Sequence, residues 1–314
     1  MSYFISFYKL IVQSAKDFAN DNAMKFSASL SYYTAFSIAP ILIIIIGVAG
    51  IFFGKEAIQG EIYRQFSGLI GSSAADMLQT SISNMQLTGV NTLQHYLNLT
   101  EGTMSLFDVP LHMKFHQASK SGKDFDLRGI FDNTLTQVNP FHAVPFVDNH
   151  DSQPLQSLES PVEPWFKPIA YALILLREQG VPCVFHPDVY GAIYTDKGSD
   201  GHDHEIHLPP VTGIQAMLTA RKNHAYGAQN DYFDDPNLVG WTRAGAEDHT
   251  GSGCAVLVSN GEGGSKQMRV GERHANTVFV NLLSGQRETV QLDHEGNGTF
   301  HVAPGTVSVW VPQA

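Results

Sequence analysis

Cysteine is scarce in this chain, and so is charge. The 314 residues include two cysteines, Cys183 and Cys254, each inside an apolar run (Val-Pro-Cys-Val-Phe and Cys-Ala-Val-Leu-Val). Two thiols so placed exclude a disulfide framework and the paired spacings of a zinc ribbon. Buried free thiols are the simplest reading. Charged residues make up 16% of the chain, and 19 Lys and Arg face 30 Asp and Glu, for a formal net charge of −11. Such a deficit of cations excludes general affinity for nucleic acid. No signal peptide with a small-residue cleavage site, no internal repeat and no low-complexity tract is apparent. With hydrophobics at 43%, the composition describes a folded chain of one large domain or two ordinary ones.

The few charges are also unevenly spread. From Phe26 to Gly54 there is none, and Ala39 to Phe53 is almost wholly apolar. A bilayer span needs about 20 such residues, so one transmembrane helix is expected within 26–54. Lys9, Lys16 and Lys25 precede it, offset by Asp17 and Asp21, while Lys55, Glu56, Glu61 and Arg64 follow. The positive-inside bias favours a cytoplasmic N-terminus and leaves open the side on which the remainder lies. No later window is long and apolar enough for a second span. Residues 56–86 read as a moderately amphipathic, Ser- and Gly-containing segment near the membrane surface. The stretches Lys25–Pro40 and Gly50–Ala57 resemble the first membrane segment of the YihY/BrkB family, over about residues 5–86. That resemblance implies a bacterial inner-membrane location, a lipid bilayer as partner, and a first domain at 1–91.

The chemistry is concentrated in Pro145-Phe-Val-Asp-Asn-His-Asp-Ser-Gln-Pro154. An apolar pair gives way to four polar side chains at Asp148, and Gln-Pro then ends the element. The C-terminal end of a buried parallel strand has this form, with functional groups at its mouth. An isolated Asn-His-Asp would more simply be a polar loop. Together, Phe146–Asp151 and Ser152–Ser160 resemble the strand-seven motif of the alpha-amylase family. Leu93–His112, Gly305–Val311 and the segments between extend the resemblance from Leu93 to the C-terminus. It implies that Asp151 stabilises an oxocarbenium-like transition state and that His150 hydrogen-bonds the sugar of an α-glucan.

The expected fold class is therefore mixed. A transmembrane helix region is followed by a partial (β/α)8 barrel holding strands six to eight (92–229) and by a C-terminal all-β Greek-key domain (230–314). Strand six and its loop fall at Phe107–His112, strand seven at Phe146–Asp151 and strand eight at Val181–Phe185. Met113–Ser121 and Leu127–Phe131 would pack outside. Val162–Gly180 predicts a helix with Trp165, Ile169, Leu173 and Leu176 on one face and glycine as its stop. After a loop reaching Pro209, a last helix is expected over Val211–Tyr226. Alternating runs at Leu238–Arg243, Cys254–Ser259, Lys266–Val270, Val278–Leu283, Glu288–Leu292 and Gly305–Val311 predict an antiparallel domain that is compact by itself.

Other polar residues receive plainer readings. Asp108 and Asp188 sit at strand ends, where capping explains them. His186 stands where the amylase family usually has tyrosine. His202, His204 and His207, with Asp203 and Glu205, invite a metal. They lack helical i, i+4 spacing and lie among Gly, Asp and Pro, which favours a solvated loop. No metal and no cofactor are expected, because the family's calcium site depends on a region absent from this sequence.

Retaining glycosidases need two carboxyl groups about 5–5.5 Å apart, a nucleophile and an acid/base. In the amylase family the nucleophile follows an arginine by two places, and the acid is a glutamate after strand five. None of Arg64, Arg128, Arg177, Arg221, Arg243, Arg269, Arg273 or Arg287 has such an aspartate, and no glutamate lies between Glu61 and Glu101. A closed barrel takes about 250 residues, far more than 93–227 supplies. The sequence thus predicts an amylase-type fragment joined to a membrane segment, without nucleophile or acid/base and without turnover. Two other readings remain: a membrane-tethered, non-catalytic carbohydrate-binding protein, and a truncated membrane protein carrying passive cargo. The join is either a genuine rearrangement or an assembly error. The oligomeric state is open.

Overall fold

A computed structural model describes residues 90–198 and 200–313. The chain divides between Leu87 and Thr88, and the described residues all belong to the second unit. The membrane span expected at 26–54 lies outside the described residues. Among those residues no helix is long and apolar enough to cross a membrane.

The first part of this unit carries short parallel segments and helices. Helix α1 (Val90–Leu99) leads to strand β1 (Leu106–Phe107), then to α2 (Val109–Ser121), α3 (Leu135–Val138) and β2 (Ala143–Val144). Leu106 pairs with Ala143 and Phe107 with Val144 in parallel register, and Phe146 makes a single parallel bridge to Cys183. The spatial order is therefore 106–107, 143–146, 183. The segments are shorter than the sequence suggests: regular pairing in the second ends at Val144, and Val181–Phe185 contributes one bridge rather than a strand.

Helix α4 (Lys167–Leu175) is also shorter than expected, with Pro168 in its first turn and a C-cap at Leu176. The single apolar face is corrected. Every residue from Ile169 to Leu176 is buried, whereas Trp165 is half-exposed. A helix packed on all sides needs apolar residues all round, which blurs any stripe.

After α5 (His186–Tyr190), the segment expected to be a loop is a hairpin, β3 (Ala192–Lys197) and β4 (Asp203–Leu208), registered from Ala192↔Leu208 to Lys197↔Asp203. Helix α6 (Ile214–Asn223) precedes the C-terminal strands: β5 (Gln229–Tyr232), β6 (Leu238–Arg243), β7 (Cys254–Ser259), β8 (Gly264–Arg269), β9 (Val278–Asn281), β10 (Thr289–Gln291), β11 (Asn297–Val302) and β12 (Val307–Pro312). Six form one antiparallel sheet in the order β10-β9-β12-β7-β6-β5, and β8 pairs with β11. Strands β5 and β11 have no counterpart among the sequence-predicted ones.

Strand β7 is buried along its whole length, and its alternation serves two cores. Cys254, Val256 and Val258 face the helices of the first part. Ala255 and Leu257 face Met268, Phe279 and Phe300 beneath the β8–β11 pair. Strand β12 does the same, with Val307, Val309 and Val311 in one core and Trp310 in the other. The first core therefore crosses residue 229. Trp241 Nε1 donates to Leu176 O at 3.1 Å, and Asn260 Nδ2 donates to Gly122 O and Phe125 O at 2.9 and 2.8 Å.

Candidate functional site

The site begins where β2 leaves the parallel segments. Val147 is still fully buried, and the polar residues after it form a tight turn. Asn149 Oδ1 accepts from Asp151 N and Ser152 N, each at 2.9 Å, while Ser152 Oγ accepts from Asn149 N at 2.9 Å. This Asx turn lifts His150 and Asp151 outward: their side chains are 81% and 45% exposed, with His150 Nε2 3.7 Å from Asp151 Oδ2. That separation exceeds a hydrogen bond, so both groups keep their bonding capacity for a ligand.

Beneath the turn lies a buried ionic cluster that sequence reasoning missed. Lys167 Nζ sits 2.8 Å from Asp148 Oδ2 and 2.5 Å from Asp188 Oδ1, all three side chains being almost fully buried. Asp148 Oδ1 also accepts from Ser152 Oγ (3.2 Å) and Val162 N (3.3 Å). Asp188 Oδ2 accepts from Tyr171 OH at 2.6 Å. Burial pushes the Asp148 carboxyl up, against the pull of Lys167. Burial works against the Lys167 ammonium, yet the two carboxylates more than offset it and its pKa rises. Burial and the Asp188 charge push the Tyr171 phenol up, so it stays a donor. The cluster thus fixes the base of the turn from which His150 and Asp151 project. Asp188 is not the capping residue expected of it. Asp108 is, accepting from Leu111 N, Leu135 N and Thr136 N at 3.2, 3.1 and 2.7 Å. The overlooked signal was Lys167 itself, a cation opening an otherwise apolar helix.

A pocket of about 440 Å³ opens beside the cluster, lined by Asp148, Lys167, Phe185, His207 and several prolines. Neither His150 nor Asp151 lines it. The β3–β4 hairpin anchors the loop beyond Asp151: Tyr194 OH donates to Pro154 O, and Gln156 Nε2 donates to Asp196 Oδ2 at 2.8 Å. His186 is exposed, its ring 4.7 Å from that of Tyr190.

The histidines of β4 do not converge. His204 and His207 point to opposite faces of the strand. His204 Nε2 pairs with Asp200 at 2.9 Å and His207 Nε2 with Glu205 at 2.7 Å. Among the described residues no three His, Cys, Asp or Glu side chains are grouped to hold a metal.

Residues 14–105 match the family model described as Virulence factor BrkB, a match that runs beyond the residue 86 expected from sequence. The cytoplasmic alpha-amylase of Escherichia coli (strain K12) is 49% identical over 222 residues, covering 71% of this chain and 44% of that protein. An alpha-amylase of Geobacillus stearothermophilus is 48% identical over 225 residues, covering 71% of this chain and 39% of that protein. Among solved structures, an Anoxybacillus alpha-amylase is similar with a TM-score of 0.48 at 14% identity, covering 67% of this chain and 47% of that one. The chain is thus similar to alpha-amylases over its C-terminal region and to BrkB proteins over residues 14–105, and it spans less than half the length of those curated amylases.

Proposed function

We propose that residues 93–314 are an α-glucan-recognising piece of an amylase-type barrel, strands six to eight with the C-terminal Greek-key domain, tethered by a single span at 26–54 to the inner membrane. The observation that carries this reading is the 49% identity over 222 residues to an alpha-amylase. In this reading Asp151 is the electrostatic stabiliser of a sugar-ring cation and His150 a hydrogen-bonding partner to the sugar. The exposed placement of both side chains on a turn braced from below supports those roles.

The chain by itself does not turn over glucan in this reading. Asp151 favours a cation only once other groups have begun to form it. General acid catalysis typically contributes roughly 10²–10⁴-fold, and a missing nucleophile removes the covalent step as well. The assay is reducing-sugar release from soluble starch by the purified full chain, beside Asp151→Asn. Background release from both is expected. Release from the parent chain that vanishes in Asp151→Asn would overturn the claim of inactivity. The tether is tested by carbonate washing: full chain remaining in the ultracentrifuge supernatant would sink it.

A further inference from the structure

A second concave site lies away from the strand-seven turn, between the start of α4 and the last strands of the β sheet. It encloses about 560 Å³, within the range of roughly 300–1,000 Å³ of small-molecule pockets. Trp165, Pro168, Leu283, Gly305, Glu288 and His301 line it. Two features distinguish it from a mere packing defect.

The first is a tryptophan held in place without being covered. Trp165 Nε1 donates to Ser119 O at 3.0 Å, and its ring stands edge-on to Phe166 at 5.3 Å. The indole nevertheless remains 37% exposed. The ring is fixed by its neighbours, so a ligand stacking on it loses little side-chain entropy there. Gly305 lies beside it: a Cβ on that residue would meet the indole edge at 3.9 Å.

The second feature is a polar set in the same pocket. Glu288 Oε2 accepts from Asn281 Nδ2 at 2.8 Å and lies 3.4 Å from His301 Nε2. The Asn281 amide, with smaller help from Ser284 and His301, holds the Glu288 carboxyl below the usual carboxylate range. It is therefore an ionised acceptor with lone pairs to spare. His301 is steadied edge-on against Trp310 at 4.7 Å.

A flat apolar ring face combined with a carboxylate, an amide and an imidazole matches a pyranose, whose C–H face is apolar and whose rim carries hydroxyls. We infer that this pocket is a second saccharide-binding site, in which a hexopyranose unit of an α-glucan stacks on Trp165 and its hydroxyls bond to Glu288 and His301. The glucan class rests on the proposed function. The site itself shares no residue with the turn at His150 and Asp151.

The test is affinity electrophoresis of the full chain, purified in detergent, through native gels containing soluble starch. Trp165→Ala and Glu288→Gln are each examined in the parent chain and in a His150→Ala/Asp151→Asn background. Starch is expected to retard the parent. Trp165→Ala should weaken binding on the order of tenfold in both backgrounds, and Glu288→Gln severalfold. Should Trp165→Ala fail to fold, the near-isosteric Glu288→Gln decides. If both variants bind as the parent does while the double background abolishes retardation, the second site is refuted and the strand-seven reading stands. A parent chain that starch does not retard refutes both.

Discussion

At the scale of single residues, Lys167 is the side chain on which most depends. It compensates Asp148 and Asp188, both nearly inaccessible to water. Replacing it with methionine keeps the bulk and leaves two buried carboxylates without their cation. Breaking a buried pair in this way costs about 3–5 kcal/mol. The urea midpoint of Lys167→Met, read from the fluorescence of buried Trp241 and Trp310, should fall accordingly. A loss under about 1 kcal/mol would mean that water reaches the cluster. The polar turn that carries His150 and Asp151 was legible in the sequence because its residues are contiguous and follow an apolar run. The ion pairs were not. Lys167 meets Asp148 and Asp188 only after α4 has packed across the segment ends, and no local pattern encodes that meeting. Asp108 was legible because capping is local in sequence.

At the scale of elements, α2 is stitched to the segment 146–160 by His112. Its ring lies stacked on Phe146 at 4.9 Å, with Nδ1 2.6 Å from Val147 O and Nε2 2.9 Å from Ser160 Oγ. A neutral ring makes both contacts by donating from Nδ1 and accepting at Nε2 when the Ser160 hydroxyl turns to it from Leu158 O, its other acceptor at 2.7 Å. Burial, outweighing the Val147 carbonyl and Asp148, lowers its pKa below the ordinary 6.5. The unfolded chain takes up that proton first as pH falls, so this contribution to stability is complete above about 6.5. It declines from there toward the lower folded value. Denaturation midpoints at pH 7.5 and 5.5 should therefore differ, and His112→Gln should reduce the difference. An unchanged difference would locate the acid sensitivity elsewhere, with His224 and His274, which burial also lowers, as the next suspects. Strands with strong apolar content bounded by turn residues, such as β6 and the continuously apolar β7, were readable to their ends. The β3–β4 hairpin was not, because its inner face is only partly covered, at Ala192, Tyr194, Ile206 and Leu208, and the polar residues around them leave no run of apolar alternation in the sequence. Gln229–Tyr232 is a polar edge strand and carries no apolar alternation. Asn297–Val302 does alternate, with Phe300 and Val302 buried, but only after two turn residues, Asn297 and Gly298, that hide its start.

At the scale of the whole second unit, the expectation that the C-terminal strands form a compact domain unaided meets a different arrangement. One face of the six-stranded sheet is covered by α4 and its neighbours. Arg177 ties the two parts together, reaching Asp231 through two bonds of 2.8 Å and lying 4.6, 5.1 and 5.5 Å from the rings of Phe131, Phe233 and Trp241. Residues 230–314 expressed alone would bare Val239, Trp241, Val256, Val258 and Val309 to water. That fragment should bind a hydrophobic dye and aggregate. A monodisperse, dye-silent fragment with a cooperative melt would show that the sheet does not need its cover. The alternating runs were legible, but the identity of what they face was not, since it is set by helices far away in sequence. The two thiols follow from the same layering. Cys254 sits between sheet and helices with its pKa pushed up to about 12 by burial, while Cys183, on the outermost of the parallel segments, is only half-buried. A maleimide should therefore label the native chain once, at Cys183, and the arrival of a second label would time the parting of the two layers.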